Sequence, residues 1–170
     1  RGLDFEADPG AVVIWFSDDP ALNEQTRFRL QEASDRLNPT DLVVVQNTFS
    51  RERFEPGKIY FLNTQKLGKK SLLVRGHEPD ESDTRQGELG IEMRPDLRSH
   101  TIWDTIRNTI EDPALTLYLV LDEAHRGMGS PSKAATTEKS TIVSRLINGA
   151  GSVPPIPIVL GISATVERFA

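Results

Sequence analysis

Apolar and polar positions fall along this chain in blocks. Ala11 to Phe16 (AVVIWF) is a continuous β-branched run, the pattern of a strand buried on both faces. Ser17, Asp18 and Asp19 follow, then Pro20: an acidic cap ahead of a proline at the first helical position. Leu22, Thr26, Leu30, Ala33 and Leu37 share one helical face, and Asn38-Pro39 is predicted to stop that helix. Leu42 to Gln46 (LVVVQ) predicts a second strand. Lys58 to Leu62 (KIYFL), entered through the Pro56-Gly57 turn, predicts a third. The charged, glycine-containing stretch from Gly76 to Arg94 predicts an exposed, flexible loop, drawn at 76–98. Ile102, Trp103, Ile106 and Ile110 form a helical stripe, and Leu115 to Leu121 (LTLYLVL) predicts the clearest strand. Gly127 to Lys133 reads as a polar loop. Ile142, Val143, Leu146 and Ile147 mark a helix stopped at Asn148-Gly149, and Val153 to Pro157 leads into a last strand at Ile158 to Ile162.

Wholly apolar strands alternating with helices predict an α/β protein with a parallel sheet covered by helices on both faces. Such sheets bind ligands outside the carboxyl ends of their strands. Polar residues immediately after strands are therefore the candidates for chemistry.

LTLYLVL runs directly into Asp122-Glu123-Ala124-His125. Two adjacent carboxylates at the carboxyl end of a buried strand have a ready use in phosphoryl transfer. Asp122 is the candidate metal ligand, holding a Mg²⁺ that bridges nucleotide phosphates. Glu123 is the candidate base that orients or deprotonates the attacking water. By average composition, a chance DEAH in a chain of this length is on the order of one in a thousand. The last strand leads into Ser163-Ala164-Thr165. Alone, small hydroxyl residues there read as a cap of the next helix.

Together, DEAH and then SAT resemble motifs II and III of superfamily 2 DEAD/DEAH-type helicases. The resemblance implies a RecA-like first motor domain, with 1–170 a partial ATP-binding domain running from motif Ia to motif III. It implies that Ser163, Ala164 and Thr165 couple the nucleotide site to the nucleic-acid site and that His125 joins the same network. Ala11 to Ser17-Asp18, with Asn23 and Gln25 on the following helix, looks like motif Ia. Asn63-Thr64-Gln65-Lys66-Leu67 resembles the later backbone-binding motif. In that family both segments touch the sugar-phosphate backbone, which makes Ser17, Thr64 and Gln65 the implied nucleic-acid contacts. Hydroxyl and amide groups suit phosphate contacts that carry no sequence information; the plain alternative for each is a helix cap. The phrases from Trp15 to Thr26, YFLNTQKL (Tyr60 to Leu67) and DEAHRGM (Asp122 to Met128) further resemble the restriction (Res) subunit of bacterial type III systems. That closer resemblance implies double-stranded DNA and a modification subunit as partners.

The family's phosphate loop, Gly-x-x-x-x-Gly-Lys-Ser/Thr, is missing from the sequence. Gly68-Lys69-Lys70-Ser71 fails it, because Asn63 stands where glycine is needed and Lys70 follows Lys69. In the family the loop precedes motif Ia, so it is expected before Arg1, and the second motor domain is expected after Ala170. The chain is thus expected to be truncated and inactive toward ATP alone; absence of the family's first strand would expose two strand edges, so that either the remaining strands close up, or the fragment dimerises or is only marginally stable. The competing expectation is a non-catalytic nucleic-acid-binding or regulatory domain with a helicase-like fold. A transporter-type ATPase fits the DEAH–SAT pairing less well.

Composition narrows the setting. The 170 residues suit one domain, and 37% apolar residues suffice for a core. The net charge of −5 gives no broad basic face, so nucleic-acid contact would fall to amides and hydroxyls. Lacking cysteine, a membrane-length apolar run and a secretory signal, the chain is expected in the cytoplasm and away from membranes.

Overall fold

Five apolar runs pair into one sheet: β1 (Ala11–Ser17), β2 (Leu42–Val44), β3 (Ile59–Asn63), β4 (Thr116–Asp122) and β5 (Ile158–Ile162). The computed structural model describes residues 7–18, 20–75, 98–122 and 133–162, the first five of the last stretch by backbone alone. The strand order is β2-β3-β1-β4-β5, and every pairing is parallel. This is an α/β fold consistent with the RecA-like type. Parallel pairing requires a long crossover, which carries helices except between β2 and β3, where residues 45–58 form none. The helices are α1 (Pro20–Ala33), the single-turn α2 (Thr64–Leu67), α3 (Ile102–Glu111) and α4 (Lys133–Asn148).

The chain reverses its direction of winding beside β1. The crossover carrying α1 steps from β1 over β3 to β2, whereas those carrying α3 and α4 step the other way, to β4 and β5. Right-handed crossovers put these two groups on opposite faces of the sheet. The main core lies on the α3/α4 face. Val12, Ile14 and Phe16 of β1 alternate inward there with Leu117 and Leu119 of β4, and meet Ile102, Trp103 and Ile106 of α3 and Ile142 and Leu146 of α4. Thr101 caps α3 reciprocally: its hydroxyl accepts from Asp104 N–H at 3.2 Å, and the Asp104 carboxylate accepts from Thr101 N–H at 2.9 Å.

The opposite face is thinner. In α1 the only buried side chain is Asn23, and Leu22, Thr26 and Leu30 are half-buried. The helix also ends at Ala33, short of the predicted stop at Asn38-Pro39. Little apolar burial holds its last turn, and the Ser34 hydroxyl accepts the Arg36 N–H, offering the backbone an alternative to helix. Gly149 closes α4 in the left-handed region (φ 76°), as the Asn148-Gly149 pair predicts.

Of the outcomes expected without the family's first strand, the described residues show the strands closed up. The sheet is continuous, with β1 hydrogen-bonded to β3 on one side and β4 on the other, so among the described residues its open edges are β2 and β5. The described strands pair directly because the runs at β1, β3 and β4 are long enough to match in register over five or six residues. β5 carries the apolar exposure, with Leu160 at 53% and Ile162 at 45%. The expected loop at 76–98 lies outside the described residues except for Arg98. That side chain donates to the carbonyls of Phe49 and Asn47, each at 3.1 Å. No described helix is long and apolar enough to cross a membrane.

Leu119 is fully buried in an interior strand, so Leu119→Ala is expected to cost about 2–5 kcal/mol in urea unfolding. Phe28→Ala, on the exposed side of α1, should change stability by no more than about 0.5 kcal/mol.

Candidate functional site at the carboxyl ends of the strands

Because all five strands are parallel, their carboxyl ends share one rim, and Ser17, Asn63, Asp122 and Ile162 end their strands there. Ser17 lies opposite Asn63, and Asp122 opposite Ile162. β4 is interior, between β1 and β5, so Asp122 leaves the sheet from a strand held on both sides. The Ser163-Ala164-Thr165 segment follows the strand adjacent to the one that ends at Asp122. Glu123, His125, Ser163, Ala164 and Thr165 themselves lie outside the described residues.

Asp122 is half-buried, and its Oδ2 accepts a hydrogen bond from the Trp15 indole Nε1 at 3.2 Å. Its Oδ1 has no hydrogen-bond partner among the described residues. A hard carboxylate oxygen on a rigid strand end fits Mg²⁺, which takes one or two protein carboxylates and otherwise keeps water or phosphate oxygens. Among the described residues no group of three or more His, Asp or Glu side chains converges, so these residues build no closed protein cage. The donor set therefore fits a loosely held, hard cation. It does not by itself fit a nucleotide, since the sequence offers no glycine-rich cradle for the phosphates.

The other half of the rim is a polar network at the ends of β1 and β3. Ser17 is fully buried, and its hydroxyl donates to Asn23 Oδ1 at 2.6 Å. Asn23 Nδ2 in turn donates to the Leu62 carbonyl at 3.0 Å, tying α1 to both strands. Asn63 caps α2, accepting the Lys66 N–H at 3.0 Å. Next in the chain, Thr64 has a buried Oγ1 with no hydrogen-bond partner among the described residues, and Gln65 is exposed. Of the three side chains implied as nucleic-acid contacts, Gln65 therefore faces solvent, Thr64 holds an unsatisfied hydroxyl, and Ser17 is engaged inside the protein.

Sequence reasoning did not single out Lys139. On α4, only 8% exposed, it places its ammonium 2.6 Å from Asp18 Oδ1 and so joins the end of β1 to the helix that follows the DEAH segment. A signal was present: Lys139 shares the helical stripe of Ile142, Val143 and Leu146, where a lysine head must find a partner. Glu138 beside it accepts from Lys69 N–H at 3.3 Å, so α4 also grips the loop after α2. The Trp15–Asp122 bond had no such signal, because Trp15 reads as one more apolar residue within AVVIWF.

Compared with models of known protein families, with curated proteins and with solved structures, the chain shows no match.

Asn23→Leu removes both of its hydrogen bonds and sets a methyl-bearing group against the Leu62 carbonyl. A loss of about 1–3 kcal/mol in chemical denaturation is expected. Asp18→Ala should destabilise more than Lys139→Met. The first strands a buried ammonium, whereas the second keeps the apolar stem and leaves a carboxylate that still touches water.

Proposed function

We propose that this chain supplies the metal-holding and water-activating part of an ATP-driven nucleic-acid motor of the superfamily 2 helicase or translocase kind, with double-stranded DNA as the track. One observation supports the reading most: the strand that leads into Asp-Glu-Ala-His is interior and parallel, and its neighbour is the strand that leads into Ser-Ala-Thr. Phosphoryl transfer relies on positioning and charge neutralisation, which polar segments after adjacent strands of one rim can supply.

In this reading Asp122 holds Mg²⁺ through a carboxylate oxygen, and the ion when bound offsets charge on the β and γ phosphates. Glu123 takes a proton from the attacking water, or orients that water in line with the leaving group. His125, Ser163, Ala164 and Thr165 relay the nucleotide state across the rim to the ends of β1 and β3. There the exposed Gln65 contacts backbone phosphates, Thr64, whose hydroxyl is buried, reaches them only if its turn opens, and Ser17 steadies the rim from beneath through Asn23. The Asp18–Lys139 ion pair gives the relay a physical link, since it ties the nucleic-acid end of β1 to the helix after the DEAH segment. Phosphate binding, and with it turnover, requires a glycine-rich loop and a second motor domain from outside these 170 residues, as the resemblance implies. A type III restriction-like parent, acting with a modification subunit, is the specific setting proposed.

The sequence without a phosphate loop also favours a second reading, a nucleic-acid-binding or regulatory domain that keeps the fold without the chemistry. The two part on one experiment. In a protein carrying this chain together with a phosphate loop, DNA-stimulated ATP hydrolysis is measured for wild type and for Glu123→Gln. The motor reading expects a turnover loss of at least about 100-fold with nucleotide affinity retained. Equal turnover in both proteins would sink it. The 170-residue chain alone is expected to show no ATP turnover above a buffer control.

A further inference from the structure

The Trp15–Asp122 hydrogen bond joins two strands through side chains at the site rim. Trp15 lies opposite Phe61 on β3 and Val120 on β4. Its ring rests near Phe61, with centroids 6.3 Å apart, and Val120 on the other side is buried. The indole reaches two residues along β4, and its single donor meets Asp122 Oδ2 at 3.2 Å. The donor's direction is set by the ring, because the indole N–H cannot rotate about a bond of its own and the half-buried ring lies between the neighbouring strands β3 and β4. A carboxylate held by one oxygen loses torsional freedom and offers the other, here Oδ1, in a restricted range of directions.

We infer that Trp15 is a positioning residue for Asp122 and tunes that carboxylate's affinity for a divalent cation. This rests on the metal-holding role proposed for Asp122. Carboxylates that ligate metals are commonly held by such outer hydrogen bonds, and losing one typically weakens metal binding by 10–100-fold. The competing view is that the bond only staples β1 to β4. Those strands are already paired along six residues of backbone, so a further staple adds little there. What the indole changes is the orientation of Asp122.

The test uses Mn²⁺ alone as a paramagnetic stand-in for Mg²⁺, added to the 170-residue chain and followed by the broadening of backbone amide resonances. In wild type, the Asp122 and Ile162 amides should broaden well before those of Ala11 and Thr116, at the opposite ends of β1 and β4. Asp122→Asn should abolish the selective broadening. Replacing Trp15 with its isostere carrying sulfur in place of the ring N–H keeps shape and packing. It should raise the Mn²⁺ midpoint about tenfold, and Trp15→Phe should do the same. If the isostere keeps the wild-type midpoint, Trp15 is only a staple and the inference fails while the cation site stands. If wild type shows no selective broadening, or Asp122→Asn retains it, the metal role of Asp122 fails, and the inference with it.

Discussion

Every feature of the rim depends on parallel strand pairing. A parallel sheet needs crossovers, crossovers of one hand that step in one direction lie on one face, and all carboxyl ends open on the same side. β1 is the pivot. It is hydrogen-bonded to β3 and to β4, and the chain winds away from it in opposite directions. That reversal separates α1 from α3 and α4 and leaves the ends of β1, β3 and β4 in contact with one another rather than covered by a shared helix.

Two kinds of side-chain bond then organise the rim. On one side Ser17, Asn23 and the Leu62 carbonyl form a buried chain of hydrogen bonds, which explains how a helix as weakly apolar as α1 holds its place. A buried amide that satisfies two strands at once is costly to lose, and it fixes orientation more sharply than apolar contact does. On the other side Trp15 reaches Asp122, and Lys139 reaches Asp18. Both of these bonds start or end on β1 or the residue just after it. A small displacement of β1 would therefore be felt at Asp122 and at α4 together, which is the mechanical requirement for the coupling proposed between a nucleotide and a nucleic acid.

The distribution of burial is consistent with that division of labour. The α3/α4 face carries the large apolar side chains and the stability. The thin α1 face and the apolar edge of β5 carry less. Function placed at strand ends above a dense core can vary in its polar residues without endangering the fold.

The sequence by itself determined the elements and their class. Unbroken β-branched runs between helical stripes are readable because burial on two faces demands apolar residues at every position, and five such runs became five parallel strands. It also located the Asp-Glu-Ala-His and Ser-Ala-Thr segments at strand ends, since the change from apolar to polar marks where a strand leaves the core. Only the tertiary structure decided which strands are neighbours, and so which of the expected outcomes holds: β1 pairs directly with β3 and with β4. It alone ended α1 at Ala33, buried Ser17 under Asn23, and paired Lys139 with Asp18 and Trp15 with Asp122. These outcomes join residues 6 to 121 positions apart in the chain. They follow from sheet order and side-chain reach, which no local periodicity encodes.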